Sequence, residues 1–191
     1  MDLFFICVSC YLIGAIPFGF ILTKIFLKKD IRDLGSGNIG ATNALRTGNK
    51  LLGYGTLFFD IFKAIIPLIY IKYNYLDFIY IASLCVFIGH IFPIWLKFKG
   101  GKGVAAYLGI LLTINFSYGC FFILVWLIVF LIYKYSSLSS LISSFCVPVY
   151  LLILNKENLI FFSIMFVLIL YTHRKNIKRL KNKEENKSKI Y

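Results

Sequence analysis

Two stretches of this 191-residue chain gather residue types suited to holding an anion. The first reads Gly35-Ser36-Gly37-Asn38-Ile39-Gly40-Ala41-Thr42-Asn43-Ala44-Leu45-Arg46. Glycines let a backbone approach an anion closely, and successive N–H groups can form a nest. Ser36, Asn38, Thr42 and Asn43 add neutral donors, and Arg46 adds a rigid fork that matches phosphate geometry. The second stretch, Gly100-Gly101-Lys102-Gly103, sets Lys102 among residues without side chains, which exposes its ammonium and neighbouring amides to one anion. It is not a Walker loop, because Leu96 stands where the first glycine would be and Val104 follows Gly103. Gly35 to Gly40 fits G-x-G-x-x-G with Asp60 beyond it, but an apolar segment precedes it and Asp60 lies in another, so the dinucleotide-binding context is missing.

Two further segments carry weaker signals. Ser136, Ser137, Ser139 and Ser140 follow Lys134 and Tyr135; hydroxyls at a helix entrance cap free N–H groups, and the same geometry can cap a phosphate. His173 and Asn176 are three apart and share a helix face, so they can address one ligand. Arg174 and Lys175 beside them suit a helix end and a membrane surface. His90 reads as a packed or interfacial histidine. Asp60 and Lys63 are charges inside an apolar segment, where such groups pair and face protein or a cavity. With two histidines far apart and no acidic cluster, neither zinc nor magnesium coordination is expected; anions should bind directly, without a metal or other cofactor. Cys7, Cys10, Cys85, Cys120 and Cys146 lie within or at the start of apolar runs and read as packing residues, including the C-x-x-C at Cys7 and Cys10.

The elements that must position these groups are membrane helices. The chain is 60% hydrophobic and 15% charged, with mean hydropathy +0.82, and a soluble domain this short could not hide so much apolar surface. A net charge of +13 would suggest nucleic acid in a soluble protein. Here the basic residues occupy gaps between apolar runs and the tail, so nucleic acid is not the expected partner; membrane lipid is. Seven candidate spans follow from length and hydropathy: Leu3–Ile25, Leu51–Ile71, Phe78–Trp95, Val104–Phe116, Gly119–Tyr133, Leu138–Leu154 and Leu159–Thr172. The first, within Met1–Phe26, has no basic leader or small-residue cleavage site and reads as a retained helix. Lys28, Lys29, Arg32, Arg46 and Lys50, then Lys97, Lys99 and Lys102, then Lys134, then the tail from Arg174 fall on alternate connections. The opposite connections hold Lys72 with Asp77, an uncharged stretch at 115–118, and Lys156 with Glu157. The basic set marks the cytoplasmic side, so the expectation is an all-α polytopic membrane protein with about seven transmembrane helices, the N-terminus outside and the C-terminus cytoplasmic. Residues 1–180 are expected to form one transmembrane domain, with 181–191 a basic cytoplasmic tail.

Taken together, the motifs resemble those of the bacterial acyl-phosphate-dependent glycerol-3-phosphate acyltransferases, the PlsY family, over nearly the whole chain. The resemblance rests on Gly35–Arg46, on Gly89–Pro93 with Phe98–Ala105, on Ser137–Ser140 and on His173–Leu180. It implies transfer of an acyl group from acyl phosphate to the 1-position of sn-glycerol 3-phosphate, giving lysophosphatidic acid and inorganic phosphate, early in phospholipid synthesis. It implies catalytic roles for Ser36, Arg46, Lys102, Ser140, His173 and Asn176. Substrate or phosphate contacts are expected from Gly37, Asn38, Gly40, Thr42, Asn43, Gly100, Gly101, Gly103, Ser137 and Glu185. The chain departs from the family where Lys183 stands in place of a usual glycine, two residues before Glu185, and where Lys134 replaces a common arginine.

An acyl phosphate is already activated, so the protein mainly needs to position two anions and stabilise developing charge. One phosphate is expected at the Ser36–Arg46 loop and the other near Lys102, Ser140 and His173, with the glycerol hydroxyl attacking the acyl carbonyl directly and the acyl chain lying in a groove between apolar helices. The expected setting is the cytoplasmic (inner) membrane with the site on its cytoplasmic face, and the expected unit is a monomer. The alternative from another class is a membrane anion or phosphate transporter, disfavoured because the polar groups gather at one interface rather than at the midplane.

Overall fold

The computed structural model describes residues 3–154 and 158–188; Lys156 and Glu157 of one expected outer connection, Met1 at the start and the last residues of the tail lie outside that range. Among the described residues the regular structure is helical throughout. The chain divides into two compact units, Met1–Ile114 and Asn115–Tyr191.

The first unit opens with α1 (Leu3–Gly14) and α2 (Phe18–Leu27), which together cover the expected first span but are separated by a break at Ala15–Pro17. Pro17 lacks an amide hydrogen and its ring crowds the preceding turn, which favours a break there. A short connection with a 3-10 turn at Ile31–Asp33 leads to α3 (Ala41–Leu45), then α4 (Lys50–Asn74), α5 (Ile79–Ile91) and α6 (Val104–Ile114). α1 packs on α5 and α4 on α6. Small residues allow these close approaches, as they do between helices in lipid, where apolar area alone gives no drive to associate. A Cβ on Gly14 would fall on the Val86 carbonyl, and one on Gly89 on the Tyr11 carbonyl. A Cβ on Gly109 would lie 2.6 Å from the Ile61 carbonyl oxygen and 3.0 Å from Ala64 Cβ.

α6 has 11 residues, about 16 Å of helix, against the ~30 Å of a bilayer core. Its last two carbonyls nevertheless have a donor: Lys72 Nζ donates to Thr113 O at 2.6 Å and to Ile114 O at 3.4 Å.

The second unit consists of α7 (Phe116–Tyr133), α8 (Ser136–Ile153), α9 (Leu159–Thr172) and α10 (Arg174–Lys181). Asn115 caps α7 by accepting the Ser117 amide, so Phe116, expected at the end of the fourth span, begins the next helix instead. Tyr118 meets Tyr150 and Phe162 edge-on, and Phe121 stacks on Tyr150 at 4.7 Å, joining α7, α8 and α9. α10 bends 63° away from α9.

Among the described residues five segments are long and apolar enough to cross a bilayer, six if the bent α9–α10 pair is one span. Outward-facing apolar residues such as Ile66 (65% exposed) and Leu131 (64%) suit lipid as the surrounding solvent.

Candidate active site

The loop between α2 and α4 is ordered from beneath by apolar residues. Ile31, Ile39 and Ala44 form a buried cluster with Leu52 and Leu96. Burying each isoleucine contributes on the order of 1.5–3 kcal/mol, which anchors a polar loop that has little regular structure of its own.

Above that cluster, Asn43 organises the backbone. Its Nδ2 donates to Ile31 O at 3.1 Å, Leu34 O at 2.9 Å and Asn38 O at 2.8 Å, while Oδ1 accepts the Ser36 amide at 2.8 Å. Gly35 and Gly37 have φ of +54° and +71°, values that favour glycine, and a Cβ on Gly35 would fall on Asn43 Oδ1. The Gly37 amide donates to Leu34 O and the Gly40 amide to Asn38 Oδ1. The amides of Ser36, Gly37 and Gly40 thus turn into the loop, which differs from the nest that the glycine spacing suggests; Asn43 Oδ1, Leu34 O and Asn38 Oδ1 take one each. Asn38 and Asn43 shape the loop in this structure.

Two arginines in this region differ in their engagement. Arg32 reaches Asp30 through Nε and Nη2, and that hydrogen bonding holds the Asp30 carboxyl below the usual carboxylate range. Arg46 is half-buried, its stem within 3.4 Å of where a Gly35 Cβ would stand, and its guanidinium meets no acid or other hydrogen-bond partner among the described residues. Ser36 lies exposed, next in sequence to Gly35, and Thr42 half-buried on α3.

The second glycine-rich stretch lies on the end of α5. The Gly101 amide donates to His90 O at 3.1 Å and the Gly100 amide to Ile91 O at 3.2 Å, which satisfies carbonyls that the helix end leaves open. A Cβ on Gly100 would fall on His90 O and Pro93 Cδ, one on Gly101 on His90 Nε2, and one on Gly103 on the Phe87 ring. These glycines are therefore required by close packing on α5, a reason that spacing alone could not reveal. Lys102 emerges half-buried between two buried glycines.

In the second unit Ser137, Asn176 and Glu185 of the expected residues form a connected polar group with Arg179. Glu185 Oε1 accepts Ser137 Oγ at 2.8 Å and Asn176 Nδ2 at 2.7 Å, and Oε2 accepts Arg179 Nε at 2.6 Å. Burial alone would raise the Glu185 pKa, but the hydrogen bonds from Arg179, Asn176 and Ser137 outweigh it and hold the carboxyl below its ordinary value. The tail returns to this unit through Ser188, whose amide donates to Lys134 O at 2.8 Å. Lys183 adopts φ +60°, the left-handed conformation for which glycine is suited, so the chain turns back toward Glu185 despite the substitution.

His173 is buried where α9 gives way to α10, with Nδ1 2.9 Å from Ile169 O. A carbonyl can only accept, so Nδ1 carries the proton in the neutral ring and Nε2 is the accepting nitrogen. Ser140 Oγ donates to Ser136 O at 2.8 Å and accepts Trp126 Nε1 at 3.1 Å. Trp126 and Arg179 were not singled out from sequence. Neither belongs to a spacing pattern, although Arg179 lies within the His173–Leu180 motif.

Comparison with known proteins matches residues 4–183 to the family model described as glycerol-3-phosphate acyltransferase. The chain belongs to the glycerol-3-phosphate acyltransferase family. It is 68% identical to a glycerol-3-phosphate acyltransferase of Pelagibacter ubique (strain HTCC1062) over the whole of both chains. It is 45% identical to one from Bradyrhizobium diazoefficiens, covering 93% of this chain and 90% of the relative. The crystal structure of PlsY, an integral membrane glycerol 3-phosphate acyltransferase, in its glycerol 3-phosphate form superposes with a TM-score of 0.91 at 34% identity, covering 98% of this chain and 96% of that one. The lysophosphatidic acid form of PlsY gives 0.88. This acyltransferase is accordingly an all-helical integral membrane protein of the PlsY type.

Proposed function

We propose that this acyltransferase uses an acyl phosphate as donor, acylates the 1-position of glycerol 3-phosphate, and releases lysophosphatidic acid and inorganic phosphate. The observation that carries the reading is Arg46: a half-buried arginine at the end of α3, its stem close to Gly35, whose guanidinium meets no protein carboxylate among the described residues. Such a group is suited to a doubly charged phosphate supplied by a substrate.

In this reading Ser36, Thr42 and Arg46 bind one phosphate on a loop that Gly37, Asn38, Gly40 and Asn43 shape, and Lys102, in its Gly100-Gly101-Gly103 setting, binds another. The glycerol 1-hydroxyl attacks the acyl carbonyl carbon; the ester C–O bond forms and the carbonyl–phosphate C–O bond breaks. The hydroxyl proton leaves for either the departing phosphate or Nε2 of His173. Direct attack is favoured over a serine intermediate because the Ser140 hydroxyl gives its proton to a backbone carbonyl rather than to a base. The acyl chain is assigned to an apolar groove of about 410 Å³ lined by Ile16, Pro17, Phe20, Ile21, Trp95 and Leu96. Ser137, Ser140, His173, Asn176 and Glu185 serve the same reaction.

The protein is placed in the cytoplasmic (inner) membrane as a monomer, with the N-terminus outside, the C-terminus and site residues cytoplasmic, and α6 and α9 each counted as a crossing to give seven. The alternation of lysine and arginine between successive connections supports this orientation.

The test is acyl transfer by purified protein in detergent, with palmitoyl phosphate or palmitoyl-CoA offered separately to labelled glycerol 3-phosphate. Labelled lysophosphatidate and free phosphate from the acyl phosphate are expected, with Arg46→Ala and Lys102→Ala each lowering turnover by about 10²–10³-fold. Product from the CoA ester alone would overturn the donor; near-wild-type turnover in either variant would overturn the two-anion arrangement.

A further inference from the structure

Three buried polar side chains of the first unit, Asp60, Lys63 and His90, have no part in the reaction as described. They are 2%, 4% and 4% exposed. Lys63 Nζ lies 2.7 Å from Asp60 Oδ1 and donates to Ile16 O at 2.8 Å, a carbonyl in the break between α1 and α2. Asp60 Oδ1, already paired with Lys63, is 3.8 Å from His90 Nδ1, beyond hydrogen-bond reach, and His90 Nδ1 has no hydrogen-bond partner among the described residues. The opposite edge of the imidazole lies against Gly101. A Cβ there would fall on Nε2 and lie 2.8 Å from Cε1 and 3.1 Å from Cδ2. The Gly101 amide in turn donates to the His90 carbonyl. The His90 ring is thus placed between a buried carboxylate on α4 and the backbone of the residue that precedes Lys102.

A buried ion pair is a weak source of stability, because desolvation offsets the Coulombic gain and well-packed apolar residues often do as well. Keeping three such groups together inside an apolar unit calls for another use. A buried carboxylate 3.8 Å from one nitrogen of a histidine acts on the ring through its charge rather than a hydrogen bond, and in a low-dielectric interior that attraction favours one orientation of the ring while its other edge rests on a neighbour. We propose that Asp60 and His90 are positioning residues. The carboxylate sets the imidazole, and the imidazole, resting on Gly101, fixes the backbone direction from which the Lys102 side chain departs. Lys63 neutralises Asp60 and ties the pair to the α1–α2 break. The absence of a side chain at position 101 is what lets the ring make this contact. The inference rests on the assignment of Lys102 to anion binding given above.

The test compares Asp60→Asn/Lys63→Met, which removes both charges and leaves no unpaired ion, with His90→Ala and Gly101→Ala in full-length protein in detergent. Two readouts are taken: the rate at which acetic anhydride labels Lys102 relative to Lys50, followed by mass spectrometry, and kcat and KM in the acyl-transfer assay. The expected result is a several-fold change in Lys102 labelling with Lys50 unchanged and a fall in kcat of about tenfold, as for loss of an outer-shell partner, with little change in melting temperature for Asp60→Asn/Lys63→Met and a lower one for Gly101→Ala, whose Cβ overpacks against the ring. His90→Ala/Gly101→Ala is expected to add nothing beyond the larger single effect, since both act on one contact. Unchanged Lys102 labelling in folded Asp60→Asn/Lys63→Met and His90→Ala would overturn the proposal. So would a loss of activity that tracks melting temperature with both lysines labelled faster, which marks a merely structural role. Altered Lys102 labelling in these variants alongside full turnover of Lys102→Ala would uphold the positioning and refute the anion assignment instead.

Discussion

The Glu185 carboxylate accepts a hydrogen bond from the Ser137 hydroxyl at 2.8 Å, a link that spans 48 residues of sequence and ties the tail to the start of α8. Asn176 and Arg179 complete the carboxylate's set of donors. Because these bonds hold the folded-state pKa below the ordinary glutamate value, the stability they contribute is fully present above about pH 4.3 and is lost as pH falls through the lowered value. Thermal unfolding in detergent should therefore show wild-type stability declining on acidification, whereas Glu185→Gln, less stable near neutrality, should lack that component of the decline. Parallel curves for the two proteins would remove Glu185 from the acid response.

Lys183 offers a gain rather than a loss. A residue with a Cβ at φ +60° carries strain of roughly 1–2 kcal/mol that glycine relieves, partly offset by glycine's greater freedom in the unfolded chain. Lys183→Gly is expected to raise the melting temperature modestly and leave kcat/KM unchanged. A lower melting temperature would mean that the lysine side chain contributes a contact larger than the strain.

Asn43 is expected to be intolerant even of an isosteric change. Aspartate keeps the acceptor for the Ser36 amide but cannot donate to Ile31, Leu34 or Asn38, and it faces three buried or half-buried carbonyls with a negative charge. Each carbonyl left without its donor costs about 1–3 kcal/mol. Asn43→Asp should abolish acyl transfer and open residues 31–48 to limited proteolysis, while Asn43→Ser should be milder. Full protease resistance in Asn43→Asp would show that the apolar cluster alone holds the loop.

Gly103 and Gly48 separate packing from backbone strain. Both have positive φ, +92° and +83°, but a Cβ on Gly103 would meet the Phe87 ring, whereas one on Gly48 meets nothing within 4 Å. Gly48→Ala should lower stability by the strain alone, on the order of 1 kcal/mol, and Gly103→Ala by a further 1–3 kcal/mol or so of overpacking. Phe87→Leu should recover part of the loss in Gly103→Ala and none in Gly48→Ala. Equal losses in the two alanine variants would refute the packing explanation.

Much of the helical framework was readable from sequence, because lipid imposes long apolar segments and the charged connections between them stand out. The α1–α2 break was missed although Gly14, Pro17 and the residues between them carry the punctuation that ends helices. An apolar run conceals such a break, because hydropathy does not register the backbone. The motif segments were also legible, but the reasons for their residues were less so. Spacing suggested that Gly100, Gly101 and Gly103 cradle an anion; their contacts with His90, Ile91, Pro93 and Phe87 depend on which helix end lies beneath them. Asn43 looked like a ligand because its type and place are right for one. Only the three-dimensional course of residues 31–38 shows its amide engaged with the loop. Trp126 could not be connected to Ser140 without the packing of α7 on α8.

The capping of α6 by Lys72 bears on how the chain is built during synthesis. An apolar segment of 11 residues is too short to be retained by the hydrocarbon layer on its own length. Its final carbonyls find their donor on α4, which leaves the ribosome 30 residues or so earlier and is long enough to settle in the membrane unaided. α4 is thus a template already in place when α6 emerges, and the order of emergence along the nascent chain becomes a condition for the shorter helix to take its position.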